Sequence, residues 1–431
     1  MNWHFQIKKI PPAAIIGIVL FVIFGISLYI RIALPYSQVF IGDSIWFKGN
    51  DPWYHMRLVE SLAQNLPHHI YFDPYTYFPH GTAVPWPPFF DWLIVAISWI
   101  VGLGHPTLHT METVAAYLPA ILGSLIVIPV YFIGKELFNK WVGIISAALV
   151  IMLPGEFLNR SLLGFTDHHV AEALFSTVVI LFLILAVKKA REREVSFSHL
   201  VNKNWITIRK PLIYTLVAGI FLGIYLLTWV GGLMLVFILF VWLVIQFIID
   251  HLRGKSTDYL CIIGFLTFFI GFIMSAPFLP KTGLSTICRV SLIIAMLAPL
   301  ALSGISQLMT RKSLKPFYYP VALAGLAGIG FAIFLAANPS LIHSMLSRFS
   351  VFAPSVTALT IAEVQPTTLS VAWSSYTTAF FIAFISFGLL IYRSVKEESA
   401  DKTLFLIWSL IMLIAIFGQR RFSYYYAVNA S

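Results

Sequence analysis

Long apolar runs recur along the chain, each about 17 to 25 residues. About 20 residues of helix cross a bilayer. The runs fall at about 13–34, 113–133, 141–157, 170–187, 212–228, 231–249, 259–279, 286–308, 318–337, 373–392 and 404–428. Polar stretches rich in proline and aromatics separate them. A shorter apolar run, 89–103, lies between Pro88 and Pro106. If it crosses, the loop Gly134–Lys140 and the basic segment Lys188–Lys210 face outward. If it lies in the interface, both are cytoplasmic. The positive-inside rule selects the second arrangement. The loops His251–Asp258, Thr310–Pro316 and Arg393–Lys402 then also fall inside, each with Lys or Arg. Lys8 and Lys9 before the first span place the N-terminus there too.

The pattern predicts an all-α polytopic membrane protein with about eleven spans and two long extracytoplasmic loops. Residues 1–34 are the cytoplasmic N-terminus and first span, and 35–111 the first outer loop with its interfacial helix. Residues 112–337 hold spans two to nine, 338–372 the late outer loop, and 373–431 the last two spans. The active-site face is expected to be extracytoplasmic, at the cell membrane.

Composition agrees. The chain is 59% hydrophobic and 11% charged, with mean hydropathy +0.86, whereas soluble domains carry about 25% charged residues. The net charge of +10 sits mostly in short loops, so it reports topology and not nucleic-acid binding. Cys261 and Cys288 lie inside apolar runs and suit neither a disulfide nor a zinc site. Pro11-Pro12 and the run that follows read as a span and not a cleavable leader. A transporter calls for ionisable groups at mid-span. Spans 212–228, 231–249 and 318–337 contain no Asp, Glu, Lys or Arg, which disfavours that class.

The outer side collects the chemistry. Between two spans lies Asn159-Arg160-Ser161-Leu162-Leu163-Gly164-Phe165-Thr166-Asp167-His168-His169. Asp167 and His169 form a D-x-H pair that can share one metal ion, although a solvated interfacial loop has the same composition. The first outer loop holds Asn50-Asp51-Pro52-Trp53-Tyr54-His55. Asp51 can be a rigid ligand or base there, or a helix N-cap with Pro52 at the first helical position. The late outer loop holds Thr360-Ile361-Ala362-Glu363, where Glu363 alone would be an ordinary loop acid.

Together, in this order and on one side, these motifs resemble the catalytic subunit of oligosaccharyltransferase, in its archaeal branch. Arg420-Arg421-Phe422 near the end is similar to the family's late Arg-Phe segment. The resemblance covers essentially the whole chain. It implies a GT-C type membrane domain that transfers an oligosaccharide from a dolichol-linked phosphate or pyrophosphate to asparagine in Asn-x-Ser/Thr sequons. By the same resemblance Asp51, Asp167 and His169 hold Mn²⁺ or Mg²⁺. Asp51 and Glu363 meet the acceptor asparagine, and Arg160 braces the acidic cluster. His80, Trp229, Arg421 and His169 contact the donor. His80 and Trp229 otherwise suit a turn and an aromatic belt.

Chemistry argues the same way. Two carboxylates on an amide's hydrogens turn its nitrogen out of conjugation. A divalent cation and an arginine stabilise the phosphate that leaves. One imidazole tilts the metal preference toward Mn²⁺ or Zn²⁺ without excluding Mg²⁺.

Two departures stand out. Gly49 occupies a position that is acidic in many members. The family's soluble C-terminal domain, with its Trp-Trp-Asp-Tyr-Gly motif, has no counterpart in the 431 residues. The expectation is a single-subunit enzyme represented by its membrane domain, with low transfer activity alone. The alternatives are another polyprenyl-phosphate-sugar transferase, such as a protein mannosyltransferase, or an inactive donor-binding fragment.

Overall fold

The computed structural model describes residues 11–279, 282–352 and 354–431. Lys8 and Lys9, used above for orientation, lie outside the described residues. The chain opens with α1 (Pro12–Ala33), where Pro12 occupies a first-turn position that needs no N–H. A short helix α2 (Tyr36–Val39) and a hairpin of β1 (Phe40–Ile41) with β2 (Ser44–Ile45) lead to α3 (Asp51–Gln64). A second hairpin, β3 (Phe72–Asp73) with β4 (Thr82–Ala83), precedes α4 (Phe89–Val101).

α4 has 13 residues, a rod of about 20 Å against a hydrocarbon layer of about 30 Å. It packs beside α3 and the next helix, α5 (Leu108–Leu125). Then follow α6 (Val127–Leu137), α7 (Lys140–Met152), α8 (Glu156–Arg160) and α9 (His169–Glu192). A connector, α10 (Phe197–Val201), leads to α11 (Trp205–Thr228), α12 (Leu233–Leu252) and α13 (Asp258–Ser275). After α14 (Gly283–Arg311) and α15 (Tyr318–Ala337), the late loop begins with α16 (Pro339–Leu346). The chain closes with α17 (Leu369–Tyr376), α18 (Thr378–Lys396), α19 (Ala400–Gly418) and α20 (Ser423–Ala430).

Among the described residues, 10 helical stretches are long and apolar enough to cross a membrane. Ten of the eleven expected runs are among them, and the eleventh is α7, which at 13 residues is as short as α4; this is an all-α, multi-pass membrane protein. Several bounds differ from expectation, three of them at marked breaks. Run 141–157 stops at Met152, because Pro154 disfavours helix before it and Gly155 turns at φ 93°. Run 373–392 breaks at Thr377, which takes φ 53°, so the span is α18 alone. Run 404–428 ends at Gly418, where the extended Gln419 starts a 3₁₀ turn, Arg420–Phe422, before α20. The Arg420 amide donates to Gln365 O at 2.8 Å, a bond that a continuous helix would forbid.

α9 is the central helix, with 83% of its apolar window buried against α5, α6, α11, α13, α19 and α20. α11 meets α13 through Gly219-x-x-x-Gly223, where a Cβ would lie 2.8 Å from Ile270 Cβ and 2.7 Å from Met274 Cβ. Small residues of this kind let membrane helices approach closely. α15, by contrast, is mostly exposed and is anchored by the buried Tyr319, whose OH donates to Leu302 O at 2.9 Å.

Ion pairs sort the loops into two ends. At one end Lys188 bonds Glu136 at 3.1 Å, Arg191 donates to Glu398 O at 2.6 Å, and Lys255 pairs with Glu398. These ties join the basic loops. The first long loop, the 156–169 loop, the late loop and the 419–422 turn meet at the other end, as described below. Single cysteines at Lys140 and Lys203 are therefore expected to label from one side of oriented vesicles. Cysteines at Asp51, Asp167 and Glu363 should label from the other, and labelling of Asp51 and Glu363 from opposite sides would contradict this fold.

Candidate active site

The 161–169 loop is fixed on three sides. Leu163 N donates to Arg31 O at 3.0 Å and Gly164 N to Ala116 O at 2.9 Å. Thr166 Oγ1 donates to Ala115 O at 2.8 Å, and Lys48 N to Gly164 O at 2.9 Å. Gly164 takes φ 80°, and a Cβ there would sit 2.7 Å from Val39 Cγ2. Glycine meets both demands. Arg31, fully buried in α1, donates through Nε to Ser161 Oγ at 2.8 Å. The loop is therefore tied to α1, α5 and the first long loop before any ligand arrives.

This frame delivers Asp167 to the head of α9 at 2% exposure. Its Oδ1 accepts from His168 N at 2.7 Å and lies 2.6 Å from His168 Nδ1 and 3.6 Å from His55 Nε2. Its Oδ2 lies 3.1 Å from His169 Nε2. Burial pushes its pKa up, but His169 and His168 outweigh that and hold it well below the usual carboxylate range. His55 is braced from behind: its Nδ1 lies 2.7 Å from Asp91 Oδ1, and His69 Nε2 lies 2.9 Å from Asp91 Oδ2. Burial opposes the His55 charge, yet Asp91 and Asp167 raise its pKa to about 10.

Asp167 thus has imidazoles and no lysine or arginine around it among the described residues. Two groups hold donor atoms within 4.8 Å of one another: His55, Asp167 and His168, and His168, His169 and Glu172. Carboxylate with imidazole at this spacing fits a divalent ion of the Mn²⁺ or Zn²⁺ kind better than Mg²⁺. Asp51 is outside both groups. It is exposed at the start of α3 and pairs with no described side chain, but His55 lies one helical turn further on.

Glu363 reaches the same end of the bundle through a chain of charges. Its Oε2 accepts from Arg160 Nη2 at 3.0 Å. Arg160 Nε donates to Glu156 Oε2 at 3.0 Å, and Arg420 Nη2 to Glu156 Oε1 at 3.1 Å. The Arg160 guanidinium also lies 5.8 Å from the Phe165 ring centroid and 5.5 Å from that of Tyr424. Burial works against the Arg160 charge, but Tyr424, Glu156 and Glu363 more than offset it. The chain joins the late loop, the 156–169 loop and the turn after α19.

An apolar cavity of about 640 Å³ opens beside these groups, lined by Trp86, Trp229, Phe237, Phe349, Arg348 and Arg421 among others. Trp86 stacks on His55 at 4.9 Å between centroids, and Trp229 lies 6.5 Å from the His168 ring. Arg421 has a buried Nε without a partner. His80 does not join this cluster; it is exposed and contacts the Tyr77 ring at 5.9 Å. Cys261 and Cys288 are free and buried.

The structure therefore brings together Asp167, His169, Glu363, Arg160, Trp229 and Arg421, leaves Asp51 one turn away, and leaves His80 apart. Sequence reasoning passed over His55, Asp91, Glu156, Arg420 and Glu172. His55 stood inside a quoted motif, and Glu172 is an acid at the start of a span, which by itself signals function.

A polytopic helical domain of GT-C type, with a carboxylate–imidazole centre beside an apolar groove, is the class of protein this arrangement defines. The family model "Oligosaccharyl transferase STT3, N-terminal" matches residues 18–428, and the chain belongs to that family. Over 423 residues it is 31% identical to dolichyl-phosphooligosaccharide-protein glycotransferase 3 of Archaeoglobus fulgidus, covering 93% of this chain and 47% of that protein. It is 28% identical over 421 residues to dolichyl-monophosphooligosaccharide–protein glycotransferase AglB of Haloferax volcanii, covering 93% and 40%. The chain thus spans about half the length of these curated relatives. The structure of Archaeoglobus fulgidus AglB with an inhibitory peptide and a dolichol-phosphate superposes with a TM-score of 0.86 at 30% identity. That match covers 97% of this chain and 49% of the other. The structure of the oligosaccharyltransferase from the same organism with Zn and sulfate gives a TM-score of 0.79 at 27% identity, covering 96% and 47%.

Arg160→Met should cut the charge chain and cost about 1–3 kcal/mol, discounted because Glu363 is partly exposed. The expected outcome is faster proteolysis within the late loop and a lower thermal midpoint. A late loop as protected as in the wild type would contradict the role given to this chain of charges.

Proposed function

We propose that the protein transfers an oligosaccharide from a dolichol-linked phosphate or pyrophosphate to the asparagine of Asn-x-Ser/Thr sequons, at the extracytoplasmic face of the cell membrane. The observation that carries this reading is the apolar cavity that holds Arg421 and Trp229 and abuts the Asp167 centre. Apolar walls suit a polyprenyl chain, the Arg421 guanidinium suits its phosphate, and acids stand where the sugar would leave. The AglB structure with a dolichol-phosphate, and another of an A. fulgidus oligosaccharyltransferase tethered to an acceptor peptide with the NVT sequon, lend support from relatives.

In this reading Asp167 Oδ2 and His169 Nε2, 3.1 Å apart, hold Mn²⁺ or a similar divalent ion together with Asp51, whose carboxylate is free to turn inward. The ion, when bound, supplies Lewis-acid stabilisation of the departing phosphate. Arg421 adds positive charge from the cavity wall. Glu363 keeps unused acceptor positions, because Arg160 takes one side of Oε2 and the side chain is 41% exposed. Asp51 and Glu363 then accept the two amide hydrogens of the acceptor asparagine and hold its nitrogen out of conjugation. Holding such a geometry lowers the barrier to attack on the anomeric carbon. Arg160 keeps Glu363 in place.

The test is glycopeptide formation by the complete product of the gene, given dolichol-linked oligosaccharide, a sequon peptide and Mn²⁺. Asp167→Ala and His169→Ala are each expected to lower transfer by about 100-fold or more, and excess chelator should abolish it until Mn²⁺ is restored. Full transfer in excess chelator would rule out the metal, and absence of transfer to any sequon peptide would rule out the reaction. Arg421→Ala should weaken binding of the dolichol-linked donor while leaving Mn²⁺ binding at the wild-type level.

A further inference from the structure

Glu172 is a fully enclosed acid near the site. It lies in the first turn of α9 and is 0% exposed. Its Oε1 lies 3.2 Å from His168 Nε2 and 3.3 Å from His169 Nδ1. Its Oε2 accepts from Tyr424 OH at 3.0 Å and from Tyr425 OH, which in turn lies 2.8 Å from Tyr225 OH. The carboxylate therefore has imidazoles on one oxygen and phenols on the other. A buried carboxylate persists only with such partners.

The two nitrogens of His169 face opposite ways. Nε2 points to Asp167 Oδ2 at 3.1 Å, and Nδ1 points to Glu172 Oε1 at 3.3 Å. A ring whose Nδ1–H donates to a carboxylate presents a lone pair at Nε2. That tautomer is the one a metal ion needs, and a carboxylate behind a ligating imidazole fixes ring orientation and raises its basicity. His168 supplies a second link, with Nδ1 toward Asp167 and Nε2 toward Glu172. The two tyrosines belong to α20, which follows the Arg420–Phe422 turn.

We infer that Glu172 is a positioning residue: it holds His169 in the metal-binding tautomer and couples that histidine to the C-terminal helix through Tyr424 and Tyr425. The inference rests on the reading of Asp167 and His169 as metal donors, and it gives Glu172 no contact with substrate. It also gives α20 a task, because the helix that carries the two tyrosines sets the orientation of a ligand on α9.

Mn²⁺ binding to the detergent-purified protein tests it, read by the loss of free-ion electron paramagnetic resonance signal. Glu172→Ala is expected to weaken Mn²⁺ binding by about 10- to 100-fold. Glu172→Gln should recover part of that loss, since an amide oxygen still accepts from His169 Nδ1–H. Tyr424→Phe combined with Tyr425→Phe leaves the carboxylate in place but frees its other oxygen, and should weaken binding by a smaller factor. Thermal midpoints taken without metal separate a local effect from misfolding; should Glu172→Ala fail to fold, the Gln and Phe variants carry the test. Wild-type affinity in folded Glu172→Gln and in the double Phe variant would overturn the inference. Failure of the wild-type protein to bind Mn²⁺ would overturn the metal reading instead, and the two results are distinguishable.

Discussion

A carboxylate removed from water at the head of a membrane helix must be surrounded by donors or it will not stay charged. Asp167 meets that demand with three imidazoles and a backbone amide. Much of the outer end of the bundle follows from this. His55 can reach Asp167 only because α3 lies over the loop, and α3 is held there by α4, whose Asp91 clamps His55 and His69. α4 is thus short for a reason beyond length: it carries a buried acid in its first turn and lies against the bundle with that acid turned inward.

The same logic binds segments far apart in sequence. Glu363, Arg160, Glu156 and Arg420 alternate in sign along one line, and the line crosses three loops. Exposed ion pairs contribute little singly. Here Arg160 is largely buried, packed between Phe165 and Tyr424, so its pair with Glu156 lies where screening is weak. The late loop is held by these charges, by backbone bonds such as Thr367 N to Ile416 O, and by Phe349 and Phe352 against the bundle. A surface loop opens at lower free energy than a helical core.

Polar and apolar work are kept apart in space. The cavity walls are aromatic and aliphatic from α12, α14 and the late loop, and the charges stand at one side of it. Trp86 and Trp229 form the boundary: each lines the cavity, and each has an imidazole at its other side. An amphipathic aromatic ring is suited to that position, since it has an apolar body and one polar group. An amphipathic ligand placed across the boundary would keep its apolar part in the cavity and its charge beside the imidazoles.

Hydrophobic run length by itself marked ten spanning stretches among the described residues, because a helix must satisfy its own backbone in lipid and needs about 20 residues to cross. The basic loops sorted the ends, and the contacts among Lys188, Glu136, Lys255 and Glu398 unite those loops at one end. The motifs around Asp51, Asp167 and Glu363 were legible as short polar words in an apolar text. Periodicity carries no information on how a helix ends against its neighbours: Pro154 and Gly155 stop the helix after Met152, whereas the breaks after Tyr376 and Gly418 were decided by packing and by non-local hydrogen bonds. The partners of the site were decided the same way. His55 and His168 are 113 residues apart, Arg160 and Glu363 are 203 apart, and Glu172 and Tyr425 are 253 apart. Each pair is forced together because burying one charged group in a low-dielectric interior requires its partner to be brought there by the fold. One chain read in order cannot name that partner.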